Sequence, residues 1–191
     1  MHVLDLLQNS LEAGATAVSV LIEEDSRMDR MVIEVSDNGR GMPPTMAAEA
    51  ADPFVTSRTA RRVGLGLPLL AAAAERCGGR LAIDSAVGVG TKVTASFVLS
   101  HIDRAPLGDM TSTLLAVLLQ EPPVALTYRH RVDDRVFSFT TAAITAELGD
   151  VPLSHPAVLR WLREFLADGF AYIYRGGADA YDTIDGGAAP A

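Results

Sequence analysis

Cysteine is nearly missing from this chain of 191 residues. The single Cys77 excludes an internal disulfide and any multi-cysteine metal site, a usage suited to a reducing cytosol. With helix-like sequence before it and Gly78-Gly79 after it, Cys77 reads as a small buried hydrophobe. Basic charge is scarce too: 16 Lys+Arg face 24 Asp+Glu, a formal charge of −8. Sequence-independent nucleic-acid binding needs Lys and Arg to neutralise phosphates, so the balance argues against it while allowing one local basic patch. Long apolar runs are also lacking. The most apolar stretch, Val63 to Ala74, is well short of the ~20 residues that cross a bilayer. No basic segment followed by an apolar run opens the chain, so neither a signal peptide nor a membrane is expected, and the location expected is cytoplasmic. What is present is a globular composition, 49% hydrophobic and 21% charged, at a length of one domain or one plus a small appendage.

Apolar periodicity marks a helix over Val3 to Ala13, with Leu4, Leu7 and Leu11 in one stripe beside Val3. Asp5, Gln8, Asn9 and Glu12 make a second, polar stripe, and Gly14 supplies a stop. Alternating β-branched residues predict strands at Thr16 to Glu23 and Met31 to Ser36, joined as a hairpin. A short helix over Thr45 to Ala51 and a polar, basic segment over Asp52 to Val63 follow. A helix over Leu65 to Cys77 leads to strands at Arg80 to Ser85 and Thr91 to Leu99. The character changes near Ser100. Beyond a linker at Asp103 to Gly108, the pattern predicts a helix (Asp109 to Gln120), a hairpin (Val124 to Val132, Arg135 to Thr140) and helices at Ala142 to Leu148 and Pro156 to Asp168. After Arg175 the Gly-, Ala- and Asp-rich tail is expected to be disordered.

Three local signals carry chemistry. Asp5 and Asn9, four residues apart on one helix face, can hold a hydrated Mg²⁺ and orient a water, although a solvated face explains the same stripe. The loop Asp37-Asn38-Gly39-Arg40-Gly41-Met42 directly follows a strand. Its glycines permit close approach of a flat ligand, and its carboxylate can accept from an exocyclic amine; a plain turn has similar chemistry. Gly64-Leu65-Gly66-Leu67 opens a helix after Thr56-Ser57-Arg58 and Arg61-Arg62, offering free N–H groups and positive charge to phosphate. That third stretch lacks the Lys-Ser/Thr of a P-loop and the spacing of a dinucleotide fingerprint.

Taken in order, these motifs resemble a known set. DLLQNSLEAGAT (Asp5 to Thr16) looks like the N box of the GHKL ATPases, the group of gyrase, the Hsp90 chaperones, histidine kinases and MutL, with wording closest to MutL. DNGRGM (Asp37 to Met42) resembles their G1 box, DPFVTSR (Asp52 to Arg58) the histidine-kinase F box and lid entry, and GLGL (Gly64 to Leu67) the G2 box. GVGT (Gly88 to Thr91) resembles the late glycine-threonine motif. The resemblance covers roughly Val3 to Leu99.

It implies a Bergerat-type α/β two-layer sandwich over residues 1–100, a mixed sheet with helices on one face. A small α+β appendage over 101–175 and a tail over 176–191 would follow. By position it implies Mg²⁺ on Asn9, adenine on Asp37, and a pocket shaped by Ala13, Gly39, Gly41 and Met42. Thr91 would reinforce the adenine contact through water. Thr56, Ser57, Arg58, Gly64, Leu65, Gly66 and Leu67 would cover the phosphates, with Arg58, Arg61 and Arg62 near the terminal one. Asp5 stands where many members carry a nucleophile-orienting glutamate, and is shorter by about one C–C bond, in a geometry sensitive to ~1 Å.

The implied activity is Mg-ATP binding with slow hydrolysis or phosphoryl transfer to a partner protein. A non-catalytic ATP-gated switch is the competing class, and a homodimer is family habit. The chain starts a few residues before the N box, without the upstream strand of many relatives. None of the four histidines has the setting of a phosphoacceptor: His2 lies in the first helix, His101 in a linker, and His130 and His155 are expected at the surface or as caps. Leu159, Leu162, Phe165 and Leu166 beside Trp161 read as core of the C-terminal third.

Overall fold

The computed structural model of the chain describes residues 2–51 and 66–175. Helix α1 (His2–Glu12) buries Val3, Leu6, Leu7 and Ser10, while Leu4 and Leu11 are half-buried. The buried stripe is thus turned from the expected Leu4-Leu7-Leu11 line, because the sheet beneath accepts the i, i+3, i+4, i+7 face that starts at Val3. Gly14, at φ +76°, ends the helix in the left-handed region. Strands β1 (Ala17–Asp25) and β2 (Arg30–Asp37) pair antiparallel, and their alternation puts Val18, Val20, Ile22, Met31, Ile33 and Val35 in the core.

Helices α2 (Pro44–Ala51) and α3 (Gly66–Arg76) precede β3 (Arg80–Ala86) and β4 (Gly90–Val98), and β4 pairs with β2. After α4 (Met110–Leu118), β5 (Ala125–Val132) returns parallel to β1, and β6 (Arg135–Thr140) pairs with it. Helices α5 (Thr141–Leu148) and α6 (Pro156–Arg175) complete the fold. The sheet order is β3-β4-β2-β1-β5-β6, a mixed six-stranded sheet under α1, α3, α4 and α6, which makes an α/β sandwich.

The change of character near residue 100 does not mark a separately packed appendage. The β5–β6 hairpin extends the same sheet, and one core cluster runs from Val3 to Ile173. Strand β1 is therefore flanked by β2 and β5 and keeps its alternation, with Val18, Val20 and Ile22 buried under the helices.

Two further expectations are corrected here. Helix α6 does not stop near Asp168 but runs through Gly169 to Arg175. Gly169 acts as a packing residue, since a Cβ there would lie 2.3 Å from the Phe137 ring. His130 is fully buried rather than a surface or capping residue. Its Nδ1 lies 3.1 Å from the Tyr128 hydroxyl and its Nε2 3.0 Å from Glu24 Oε1, which also accepts from the Tyr174 hydroxyl at 2.5 Å. Because every member has a partner, a polar group on an inward strand position is tolerated. Burial pushes the Glu24 carboxyl up, but the bonds from His130 and Tyr174 outweigh it and leave it below the ordinary glutamate value. Burial raises both tyrosines, Tyr128 strongly.

Other expectations stand. Cys77 is buried, His155 Nδ1 accepts from the Ala157 N–H at the start of α6, and Leu162, Phe165 and Leu166 lie in the core. Among the described residues no helix is long and apolar enough to cross a membrane. The tail after Arg175 lies outside the described residues.

Candidate nucleotide site

The carboxyl ends of α1 and β2 and the start of β4 meet around one cavity of about 140 Å³. Asp37 is the last residue of β2 and pairs in register with Thr91 at the start of β4. Its two oxygens are already held: Oδ1 accepts from the Gly39 N–H at 2.9 Å, and Oδ2 from the Ser10 hydroxyl at 2.8 Å. A carboxylate clamped on both sides keeps a fixed direction, with lone pairs left for a donor in the cavity.

Asn38 turns the other way and caps the start of β1, accepting from the Thr16 and Ala17 N–H groups at 2.9 Å. The Asp-Asn pair thus divides its work: one side chain lines the cavity while the other builds the turn. Gly41, at φ +61°, passes so close to β3 that a Cβ would lie 1.9 Å from the Ala86 carbonyl oxygen. Gly90 meets the Asp37 carbonyl at the same distance. Neither position has room for any side chain. Ser85 closes this wall, accepting from the Met42 N–H at 2.9 Å and lying 2.9 Å from Thr91 Oγ1.

Of the residues expected from sequence, Asn9, Ala13, Asp37, Gly41, Met42, Leu67 and Thr91 line the cavity. Gly39 packs against Ala13, where a Cβ would be 2.8 Å from that methyl. Gly66, the first residue of α3, stands over α1: a Cβ on it would lie 3.2 Å from Asp5 Cβ and 4.0 Å from Asn9 Nδ2. The helix start is thereby brought to the polar stripe of α1, beside the half-buried Asp5 and Asn9. Thr56, Ser57, Arg58, Arg61, Arg62, Gly64 and Leu65 lie outside the described residues. Sequence reasoning missed Ser10, Leu6, Glu12, Val35, Met46, Val93 and Arg40 as cavity residues. A signal for Ser10 was present, because it is the polar member of the otherwise apolar stripe Val3-Leu6-Leu7-Ser10. Arg40 is set by long-range bonds, its N–H to the Ala13 carbonyl and its guanidinium to the Glu12 carbonyl, which no local pattern reveals.

With this geometry in view, the model of the histidine kinase-, DNA gyrase B- and HSP90-like ATPases matches residues 2–101, just over half the chain. The chain belongs to this family. As a GHKL ATPase domain, it is similar over 89 residues to the alginate biosynthesis sensor protein KinB of Pseudomonas aeruginosa, at 33% identity; the match covers 46% of this chain and 15% of KinB. It is 32% identical over 98 residues to sporulation kinase D of Bacillus subtilis, 51% of this chain and 19% of that protein. The GHKL domain thus spans less than a fifth of either relative. A solved structure, the N-terminal domain of a DNA repair protein, superposes with a TM-score of 0.52 over 80% of this chain and 58% of its own, at 15% identity, which speaks for the fold alone. ATP binding is implied by membership of the GHKL family.

Proposed function

We propose that the cavity binds Mg-ATP with adenine on Asp37, and that the chain hydrolyses the nucleotide slowly or passes its terminal phosphoryl group to a partner protein. The observation that carries this is the convergence of Asn9, Asp37, Thr91 and the start of α3 on one cavity. The glycine-built wall at Gly41 and Gly90 suits a flat ring, and the clamped Asp37 carboxylate suits an exocyclic amine, which selects adenine over guanine. Thr91, hydrogen-bonded to Ser85, supports the same edge. The Asn9 amide oxygen and the Asp5 carboxylate, one helical turn apart, are hard donors of the kind Mg²⁺ takes, and few enough to leave places for phosphates and water. The bound cation would neutralise phosphate charge. The start of α3 lies beside Asp5 and Asn9, where a helix N-terminus would add a positive dipole end.

Asp5 orients the attacking water or phosphoacceptor for in-line displacement at the γ-phosphorus. The cytoplasm is the compartment we assign, and a protein substrate or a homodimer partner the assembly.

A second reading, an ATP-gated switch with little turnover, is favoured by one observation: position 5 carries aspartate, whose reach is short. Nucleotide affinity with and without Mg²⁺, measured beside phosphate release, separates the two. Turnover in the native chain, lost in Asp5→Ala with ATP affinity kept, supports the enzyme. Mg²⁺-dependent ATP binding with negligible turnover in both supports the switch, and absence of ATP binding overturns the whole proposal.

A further inference from the structure

Ser85 on β3 is the cross-strand partner of Thr91, and Thr91 in turn is the cross-strand partner of Asp37. Its hydroxyl makes three contacts. It accepts from the Met42 N–H at 2.9 Å, donates to the Gly90 carbonyl at 3.0 Å and lies 2.9 Å from Thr91 Oγ1. Two of these contacts can run in one direction only, because an amide N–H has no lone pair to offer and a carbonyl oxygen has no hydrogen. A serine hydroxyl carries one hydrogen and two lone pairs. With the hydrogen on Gly90 and one lone pair on Met42, the third contact has to run from the Thr91 hydroxyl to the lone pair that remains.

The consequence for Thr91 is a fixed polarity. Its one hydrogen is engaged by Ser85, so its Oγ1 has only lone pairs left for whatever enters the cavity that it lines. Asp37 is held in the same sense. The Ser10 hydroxyl and the Gly39 N–H both donate to it, and the carboxylate presents lone pairs alone. At these two positions the cavity edge is acceptor-only. A ligand edge bearing N–H hydrogens, or a water that donates to Thr91, matches it. A ligand oxygen at the same place meets lone pairs from both residues, and polar groups left without a partner in a binding site discriminate strongly.

We propose that Ser85 is a positioning residue for purine selectivity: by taking the Thr91 hydrogen it makes Thr91 an acceptor and biases the cavity towards a 6-amino over a 6-oxo purine triphosphate. This rests on the reading of the cavity as an ATP site and adds to it a residue that acts through Thr91. The bonds to Met42 and Gly90 hold the backbone of the wall and act alike on every nucleotide. The Thr91 bond alone tells one purine edge from another.

The test compares ATP with inosine triphosphate, which has an oxygen in place of the amine and a hydrogen on N1. Calorimetric titration of the whole chain gives the ratio of the two affinities. Ser85→Ala frees the Thr91 hydrogen to turn to the cavity, so the preference for ATP should fall about ten-fold, the size of one discriminating hydrogen bond. Ser85→Thr keeps the hydroxyl and should keep the native ratio. An unchanged ratio in Ser85→Ala overturns the proposal, and so does an equal loss of both nucleotides, which would report the backbone anchor only. A second measurement leaves Ser85 and its bonds to Met42 and Gly90 in place. Thr91→Val should weaken ATP about five-fold without weakening inosine triphosphate. A parallel loss of both overturns the acceptor role of Thr91 and the proposal with it. If the native chain binds neither triphosphate, the ATP reading falls together with this role; if it binds ATP and the ratios fail as described, only the role of Ser85 falls.

Discussion

The two ends of the sheet treat their polar groups in opposite ways. At the β5–β6 end, Glu24, His130, Tyr128 and Tyr174 satisfy one another beneath α6, and the surrounding rings of Phe137, Phe139, Phe165 and Phe170 close the region. At the β2–β4 end, Asp37 and Asn9 line a cavity, and glycines hold the backbone apart from any side chain. The first arrangement spends its hydrogen bonds on rigidity. The second fixes the direction of its groups but leaves acceptors for a ligand. The lesson is that a buried polar cluster with every partner present points to stability, whereas a clamped but incompletely used carboxylate beside a cavity points to binding.

Substitutions sharpen or break this contrast. Gly169→Leu drives a side chain into the Phe137 ring, and we expect a loss of about 3 kcal/mol in unfolding free energy, read by denaturant titration, with ATP affinity of the folded fraction unchanged. A neutral result would remove the packing role of that glycine. Asp37→Asn should do the reverse. It replaces an acceptor-only group by one that presents a donor to the exocyclic amine, so ATP affinity should fall by about 2 kcal/mol, or some 30-fold, with little change in melting temperature. Unchanged affinity in a calorimetric titration would take Asp37 out of the site.

Glu24→Gln tests the closed end by pH. The folded carboxyl lies below its ordinary value of 4.5, so its contribution is present above that value and is lost as pH falls through the folded value. The native chain should therefore lose stability as pH drops below about 4.5, and the variant should be about 1 kcal/mol less stable at neutral pH with a flatter acid limb. Parallel acid limbs in the two proteins would contradict the network. The smallest effect is expected of Thr91→Val, which removes the hydroxyl beside Ser85 and should weaken ATP binding about five-fold, or 1 kcal/mol, without altering stability at neutral pH. An affinity equal to that of the native chain would leave Thr91 a purely structural strand residue.

Much of the fold was legible because its elements are locally consistent. The alternation in β1 and β2, the Gly14 stop and the glycine turn at Gly88 each follow from short-range sterics. The site was legible in part for a related reason: Asp37 and Thr91 sit at strand ends and Gly41 in the loop after β2, where motif order reports position. Three features escaped local reading. The face of α1 was misplaced by one position because Leu4, Leu6, Leu7 and Leu11 all satisfy an apolar stripe, and only the sheet chooses among them. His130 was misread because its partner Glu24 is 106 positions away and the Tyr174 ring that packs edge-on against it is 44 positions away. The expected end of the last helix at Asp168 is too early because Gly169 continues α6 by packing against Phe137 of β6, a contact no local pattern reports.

The sequence by itself determined where strands and helices begin, which glycines admit left-handed backbone, and which family motifs occur in which order. These depend on neighbours within a few residues, where steric limits and periodicity act without help from the rest of the chain. The tertiary structure alone decided that β5 lies parallel to β1 in the same sheet, that Ser10 clamps Asp37, and that Glu24 and His130 share a buried bond. Each of those depends on groups far apart in the chain, and their meeting is set by the packing of one apolar core, whose attraction has no direction of its own.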